Sequence, residues 1–287
     1  MLEKDNRKLY KYKNIFAINA GKLSMKISAS GGRIISFRFG NTEIITNSDE
    51  HANFGSTLWP APQSDWGWPP YPVLDNEAYT AEKIGDTLKM ISKPDIKSGL
   101  QFEKRFFPIR NKFIRIEYLV RNISEKQKIV AAWEVTRVPC GGLVFFPDGG
   151  KASIPVSTLI PHLSKDSINW VVINKEILSE HKKLFAAARE GWMAYAFRGV
   201  LFIKQFPDTA PQDYSPDQGE VEVYINKDKR YAELENHGSY TSLQPGQSLR
   251  YITNWVAVPL LKTIPIYNEH SQLSFFARSQ ANLIKLE

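Results

Sequence analysis

A single cysteine among 287 residues, Cys140, leaves no partner for an internal disulfide and no set of thiolates for a metal. No apolar run approaches the roughly 18 residues of a membrane-spanning helix. The N-terminal MLEKDNRKLYKYKN has no apolar core of a secretory leader. No signal peptide is therefore visible, and the cysteine usage suits a cytoplasmic or a periplasmic setting alike. Histidines number five (His51, His162, His181, His237 and His270), and no two stand at a ligand spacing. Gly149-Gly150-Lys151 lacks the spacing of a phosphate-cradling loop. Neither a metal nor a cofactor is expected.

The formal net charge is +7, but the basic residues stand in short clusters, Lys182-Lys183 and Lys227 to Arg230, diluted by acids. Such a pattern reads as solvated surface, so neither nucleic acid nor membrane is an expected partner. Apolar residues at 43% and charged residues at 23% give an ordinary globular balance.

What dominates the chain is alternation with a period of two, the mark of half-buried strands. In Lys112–Asn122, Ile114, Ile116, Tyr118 and Val120 share one face, and Arg115 and Glu117 take the other. In Glu220–Asn226, Val221, Val223 and Ile225 oppose Glu222 and Tyr224. A dozen further segments behave similarly between Phe16 and Val258, punctuated by turn pairs such as Gly31-Gly32, Gly40-Asn41 and Pro245-Gly246. Many strands with short connections predict an all-β fold, a large antiparallel β-sandwich with little helix. One helix is expected over residues 272–286. No repeat or linker divides the chain, so residues 1–287 read as one domain.

One segment breaks the alternation. Leu58–Asp75, LWPAPQSDWGWPPYPVLD, carries Trp59, Trp66, Trp68, Tyr71 and five prolines. Proline removes a backbone donor, so the segment is expected to be a stiff loop and not a central strand. Rigidly held indoles can stack on the C–H face of a pyranose at low entropic cost, with Gln63 and Asp65 placed to bond hydroxyls. The alternative is a small plug closing one end of the sandwich.

Two strands carry candidate acid–base groups. In Tyr231–Gly238, Glu233 and Glu235 share a face, and His237 continues the row. Carboxylates and an imidazole side by side separate one another's pKa values, as general acid–base work requires; a solvated face paired with nearby lysines is the alternative. In Ala131–Arg137, Trp133 and Arg137 alternate with Glu134 and Thr136, and Glu134 is either a catalytic group or a buried partner for an arginine.

The order of these pieces resembles the aldose 1-epimerase, or galactose mutarotase-like, superfamily, and most of all its uncharacterised bacterial members. The pieces are Gly31–Arg38 with Asn41–Ile45, Leu58-Trp-Pro60, Val221–Tyr224 leading into Tyr231–Asn236, and Leu243–Leu249 with Trp255. The resemblance implies a supersandwich fold and a saccharide cleft. It also implies a glutamate base that takes the anomeric proton, matched here by Glu235. The histidine acid of that family has no counterpart in Val130–Arg137, which leaves Glu134 or His237 as substitute acid. Nor does Asn53–Gln63 hold a phosphate clamp, which disfavours a sugar phosphate. The substrate contacts expected are Trp59, Gln63, Asp65, Trp66, Trp68, Glu233, Asn236 and Arg137. The expected function is a carbohydrate-active protein that binds a small saccharide and interconverts its anomers. The alternative is a carbohydrate-binding domain without catalysis, and a purely structural or protein-binding sandwich is the third class.

Overall fold

The computed structural model describes residues 14–47, 53–149, 160–174, 181–228 and 230–285; His51, Gly150 and Lys151 lie outside them. The chain opens with β1 (Ile15–Ala20), β2 (Leu23–Ser28), β3 (Arg33–Phe39), β4 (Thr42–Glu43) and β5 (Ser56–Ala61). A short helix α1 (Pro72–Asp75) follows, then β6 (Thr80–Ile84), β7 (Thr87–Ile91), β8 (Leu100–Ile109), β9 (Phe113–Asn122) and β10 (Lys128–Val138). Next come β11 (Leu143–Pro147), β12 (Leu163–Lys165), β13 (Ile168–Val172), β14 (Lys182–Ala186), β15 (Trp192–Phe197) and β16 (Val200–Gln205). The last elements are β17 (Val221–Ile225), β18 (Ala232–His237), β19 (Thr241–Leu243), β20 (Ser248–Pro259) and helix α2 (Ser271–Leu283).

These strands make two ten-stranded sheets. One has the order β1-β2-β3-β5-β10-β18-β17-β14, with β4 on β3 and β19 on β10. The other runs β12-β13-β11-β15-β16-β20-β9-β8-β7-β6. Both are antiparallel throughout their described ladders. This is the all-β sandwich that the alternation predicts, and α2 occupies most of the expected C-terminal helix.

The apolar faces meet between the sheets, where Phe37, Phe202 and Trp255 pack with ring centroids 5.1–5.3 Å apart. Burying each such ring stabilises the fold by roughly 1.5–3 kcal/mol. The interior also holds an ion pair, Lys204 Nζ to Glu134 Oε2 at 2.9 Å, with both side chains fully buried. Tyr118 Oη and Thr253 Oγ1 donate to Glu134 at 2.6 and 3.0 Å, and Lys204 also donates to Thr136 Oγ1. Burial of two charges is tolerated because their hydrogen-bonding capacity is met.

The proline-rich segment requires a correction. Its first part, Leu58–Ala61, belongs to strand β5, which lies near the middle of the first sheet, paired with β10 from Ala61↔Ala131 to Ser56↔Thr136. Pro60 is tolerated because β3 touches β5 only at Ile34↔Ser56, which leaves the rest of that flank of β5 without a described ladder partner. The stiff loop expected from the prolines begins after Ala61, with a 3₁₀ turn at Gln63–Asp65 and cis peptides at Ala61-Pro62 and Trp68-Pro69.

Candidate functional site

The outer face of the first sheet is built from alternate residues of five adjacent strands. Thr57 and Trp59 of β5 pair with Val135 and Trp133 of β10. On the far side of β10, Trp133, Val135 and Arg137 stand opposite His237, Glu235 and Glu233 of β18. Glu235 and Glu233 in turn face Glu222 and Tyr224 of β17, and Tyr224 faces Lys183 of β14. One sheet face thus gathers indoles, carboxylates, an imidazole and an ammonium.

Above this face lies a hollow of about 410 Å³, within the range that admits a small organic ligand. Trp59, Trp68 and Gln63 wall it on the loop side, and Glu233, Lys183 and Tyr231 on the other. Trp133 lines its floor, and His181, Tyr224 and the amides of Asn53 and Asn226 complete it. Trp68 is 61% exposed, a costly display for an indole, whereas Trp59 and Trp133 are nearly buried. Trp59 holds the three together edge to face, 5.9 Å from Trp68 and 5.2 Å from Trp133.

Trp59 is itself fixed from below. Its Nε1 donates to Asp75 Oδ1 at 2.9 Å, Thr57 Oγ1 donates to the same atom, and Arg33 pairs with Oδ2 at 2.9 Å. Burial alone would raise the Asp75 carboxyl; Arg33 and these donors outweigh it and hold the group below its usual range. Gly31, at φ +68°, is required here, because a β-carbon would lie 1.9 Å from the Asp75 carbonyl oxygen.

Beneath the floor is a second buried cluster. Lys183 Nζ contacts both Glu222 and, at 3.1 Å, Glu235. Trp133 Nε1 donates to Glu235 Oε2 at 2.8 Å. His237 Nε2 lies 3.2 Å from Glu222 Oε1, and its ring stacks on Trp133 at 5.2 Å. Burial and the neighbouring carboxylates push Glu235 well above the usual carboxyl range, even against Lys183. Burial opposes ionisation of Glu222 too, but Lys183 and His237 win and hold it at about 2. Burial outweighs the pull of Glu222 and pushes His237 below the usual imidazole range. Lys183, against the cost of burial, is held charged by Glu235 and Glu222. The cluster thus sets one ammonium against two carboxyl groups that their surroundings push in opposite directions.

Glu222, Glu235 and His237 offer ligand atoms within 4.8 Å of one another, the arrangement a metal would need. The Lys183 ammonium already lies against both carboxylates and supplies the positive charge a metal would bring. This set does not fit a metal.

Not all the residues expected at the site converge. Trp59, Trp68, Gln63 and Glu233 line the hollow. Glu235 and His237 sit under its floor, and Arg137, 1% exposed, braces the wall by pairing with Glu233 at 2.9 Å and lying 5.2 Å from the Trp59 ring. Asp65 and Trp66 face a different hollow, on the other side of the loop. Glu134 and Asn236 point between the sheets, Asn236 donating to Tyr251 Oη at 2.7 Å. Their place in the expected site is corrected, because even-numbered residues of β10 and β18 face the core. Sequence reasoning missed Lys183, which it placed in a solvated cluster. It also missed Glu222 and Tyr224 as site groups, although their alternation against Val221 and Val223 was the available signal.

A family model described as a domain of unknown function, DUF4380, matches residues 31–258. The chain belongs to that family. A search of curated proteins finds no match to this DUF4380 protein. Solved structures show the fold relationship. The galactose mutarotase-related enzyme of Lactobacillus acidophilus superposes with a TM-score of 0.61 at 11% identity, over 87% of this chain and 99% of that one. The aldose epimerase homologue of C. elegans gives 0.60 at 10% identity, over 86% and 99%. A galactose mutarotase-like protein of Lactobacillus casei gives 0.58 at 12%, over 85% and 100%. The DUF4380 protein therefore has a galactose mutarotase-like β-sandwich fold. At such identities the likeness concerns fold alone. No helix among its described residues is long and apolar enough to cross a membrane.

Proposed function

We propose that this DUF4380 protein binds a saccharide in the hollow over β10, β18, β17 and β14. One observation carries the reading: Trp68, 61% exposed, overhangs a hollow whose opposite wall is made of the hydrogen-bonding groups of Glu233, Lys183, Tyr224 and Tyr231. An apolar ring facing a ring of polar groups suits a pyranose, with one C–H face and a rim of hydroxyls. The Glu233 carboxylate, braced by Arg137, accepts from a pair of sugar hydroxyls, and Lys183 donates. Calorimetric titration with a panel of aldoses tests this. Binding that weakens roughly 5- to 150-fold in Trp68→Ala is expected, since a stacked ring is worth about 1–3 kcal/mol. No heat with any sugar would remove the assignment.

Interconversion of anomers is the second reading, favoured by a specific feature: Glu233 and the hydrogen-bonded pair of Tyr224 and His181 line one hollow, a base and an acid in the same space. Glu235, the residue matched to the family's base, is covered by Trp133 and Lys183, so Glu233 is the carboxylate a ligand meets first. Exchange NMR of α- and β-aldoses with the native protein, Glu233→Gln and Glu235→Gln decides between them. Rates in all three equal to the rate without protein would leave binding alone.

A further inference from the structure

A second hollow of about 450 Å³ lies on the other side of the tryptophan loop. Its walls repeat the composition of the first with different residues: the rings of Trp66, Tyr71 and Tyr240, and the polar groups of Asp65, Lys97 and Lys128. Trp66 is fixed in place, its Nε1 donating to the Pro60 carbonyl at 2.8 Å, and Tyr71 packs 6.3 Å from it. The Lys97 ammonium lies 5.8 Å from the Tyr71 ring centroid. Asp65 reaches both tyrosines electrostatically, adding to burial in raising their hydroxyl pKa values.

The two hollows share one partition. Trp59 packs against Trp66 and Trp68 at 5.9 Å each, and Trp133 lies 6.3 Å from Trp66. Both hollows also lie along β10: Trp133 lines the first, and Ile129, on the same sheet face, lines the second. At ~3.3 Å per residue the offset is about 13 Å, longer than one pyranose ring. Two aromatic-and-polar hollows, back to back on one rigid indole cluster and offset along one strand, suit successive units of a chain better than one small sugar.

We propose that the hollow of Trp66, Tyr71 and Tyr240 is a second saccharide subsite, so that the ligand is an oligosaccharide lying across the loop. This rests on the saccharide reading of the first hollow. Titrations would use cello-, malto- and xylo-oligosaccharides of one to six units, together with their monosaccharides. For one series, affinity is expected to rise at least tenfold with length. Tyr240→Ala and, separately, the exposed Lys97→Ala should remove most of that gain while leaving monosaccharide affinity within twofold. Near-ultraviolet circular dichroism checks that each variant keeps its fold, and Lys97→Ala serves if Tyr240→Ala does not. Monosaccharide binding with no gain from length would overturn the second subsite and leave the first standing. A gain that survives in the folded variants would also overturn it. Absence of binding to any mono- or oligosaccharide would overturn both readings.

Discussion

Replacing Lys183 by Met keeps the hydrocarbon stem beside Trp133 and Phe185, where the ammonium now lies 5.1 and 5.4 Å from the ring centroids, and removes only the charge. Glu222, fully buried, then loses its main cation. Breaking a buried pair in this way costs about 3–5 kcal/mol. The Lys183 side chain is 25% exposed, so water screens part of the interaction and about 3 kcal/mol is expected at pH 7. The pH dependence has a definite sign. Glu222 is held at about 2 in the native protein, below its unfolded value. Its contribution is therefore complete above the unfolded carboxyl range near ~4.3 and is lost as pH falls toward 2. Without Lys183 the Glu222 carboxyl rises, and protonation relieves its unpaired charge, so the deficit of the variant should narrow between pH 7 and pH 5. Urea unfolding followed by far-ultraviolet circular dichroism at both pH values measures this. Glu235→Gln is the control: burial and the neighbouring carboxylates raise the Glu235 carboxyl, so its charge is less favoured than that of Glu222 and that variant should lose less stability than Lys183→Met. A Lys183→Met deficit below about 1 kcal/mol, the level of an exposed pair, or one that grows toward pH 5, would refute the pairing of Lys183 with an ionised Glu222.

Two further outcomes follow from other buried groups. Lys204→Met should cost about 3–5 kcal/mol by stranding Glu134, yet leave saccharide affinity unchanged, because that pair lies between the sheets; calorimetry beside urea unfolding separates the two effects. Glu220 accepts from the backbone N–H groups of Ala188 and Thr209, and burial lifts its carboxyl to about 8. The folded protein therefore binds the extra proton between the unfolded value and 8, and stability should fall from pH 5 to pH 8, with a shallower fall in Glu220→Gln.

The strands with clean alternation, such as those around Ile114–Val120 and Val221–Ile225, were legible because their core-facing positions are apolar and charged or polar groups interrupt them, even where, as at Glu222, the second face is buried too. Ser56–Ala61 was not: Pro60 and the prolines that follow it signal a loop, and only the absence of described ladder partners on one flank beyond Ser56 makes Pro60 acceptable. At the site, alternation placed Glu233, Glu235 and His237 on one face correctly. It could not tell a wall from the layer beneath it, because that depends on Trp133 and Lys183 closing over Glu235 from neighbouring strands. Glu134 and Asn236 follow the same alternation to the opposite face. Asp65 and Trp66 were separated from Gln63 and Trp68 by a turn whose geometry no periodicity encodes.

The indole N–H resonances of the seven tryptophans offer the most direct test of saccharide recognition at the outer sheet face. During titration of a binding sugar into protein labelled with nitrogen-15 at tryptophan, the signals of Trp68, Trp59 and Trp133 should move together. Those of Trp170, Trp192 and Trp255, buried elsewhere in the sandwich, should stay in place. Shifts confined to the buried group, or none at saturating sugar, would contradict the account.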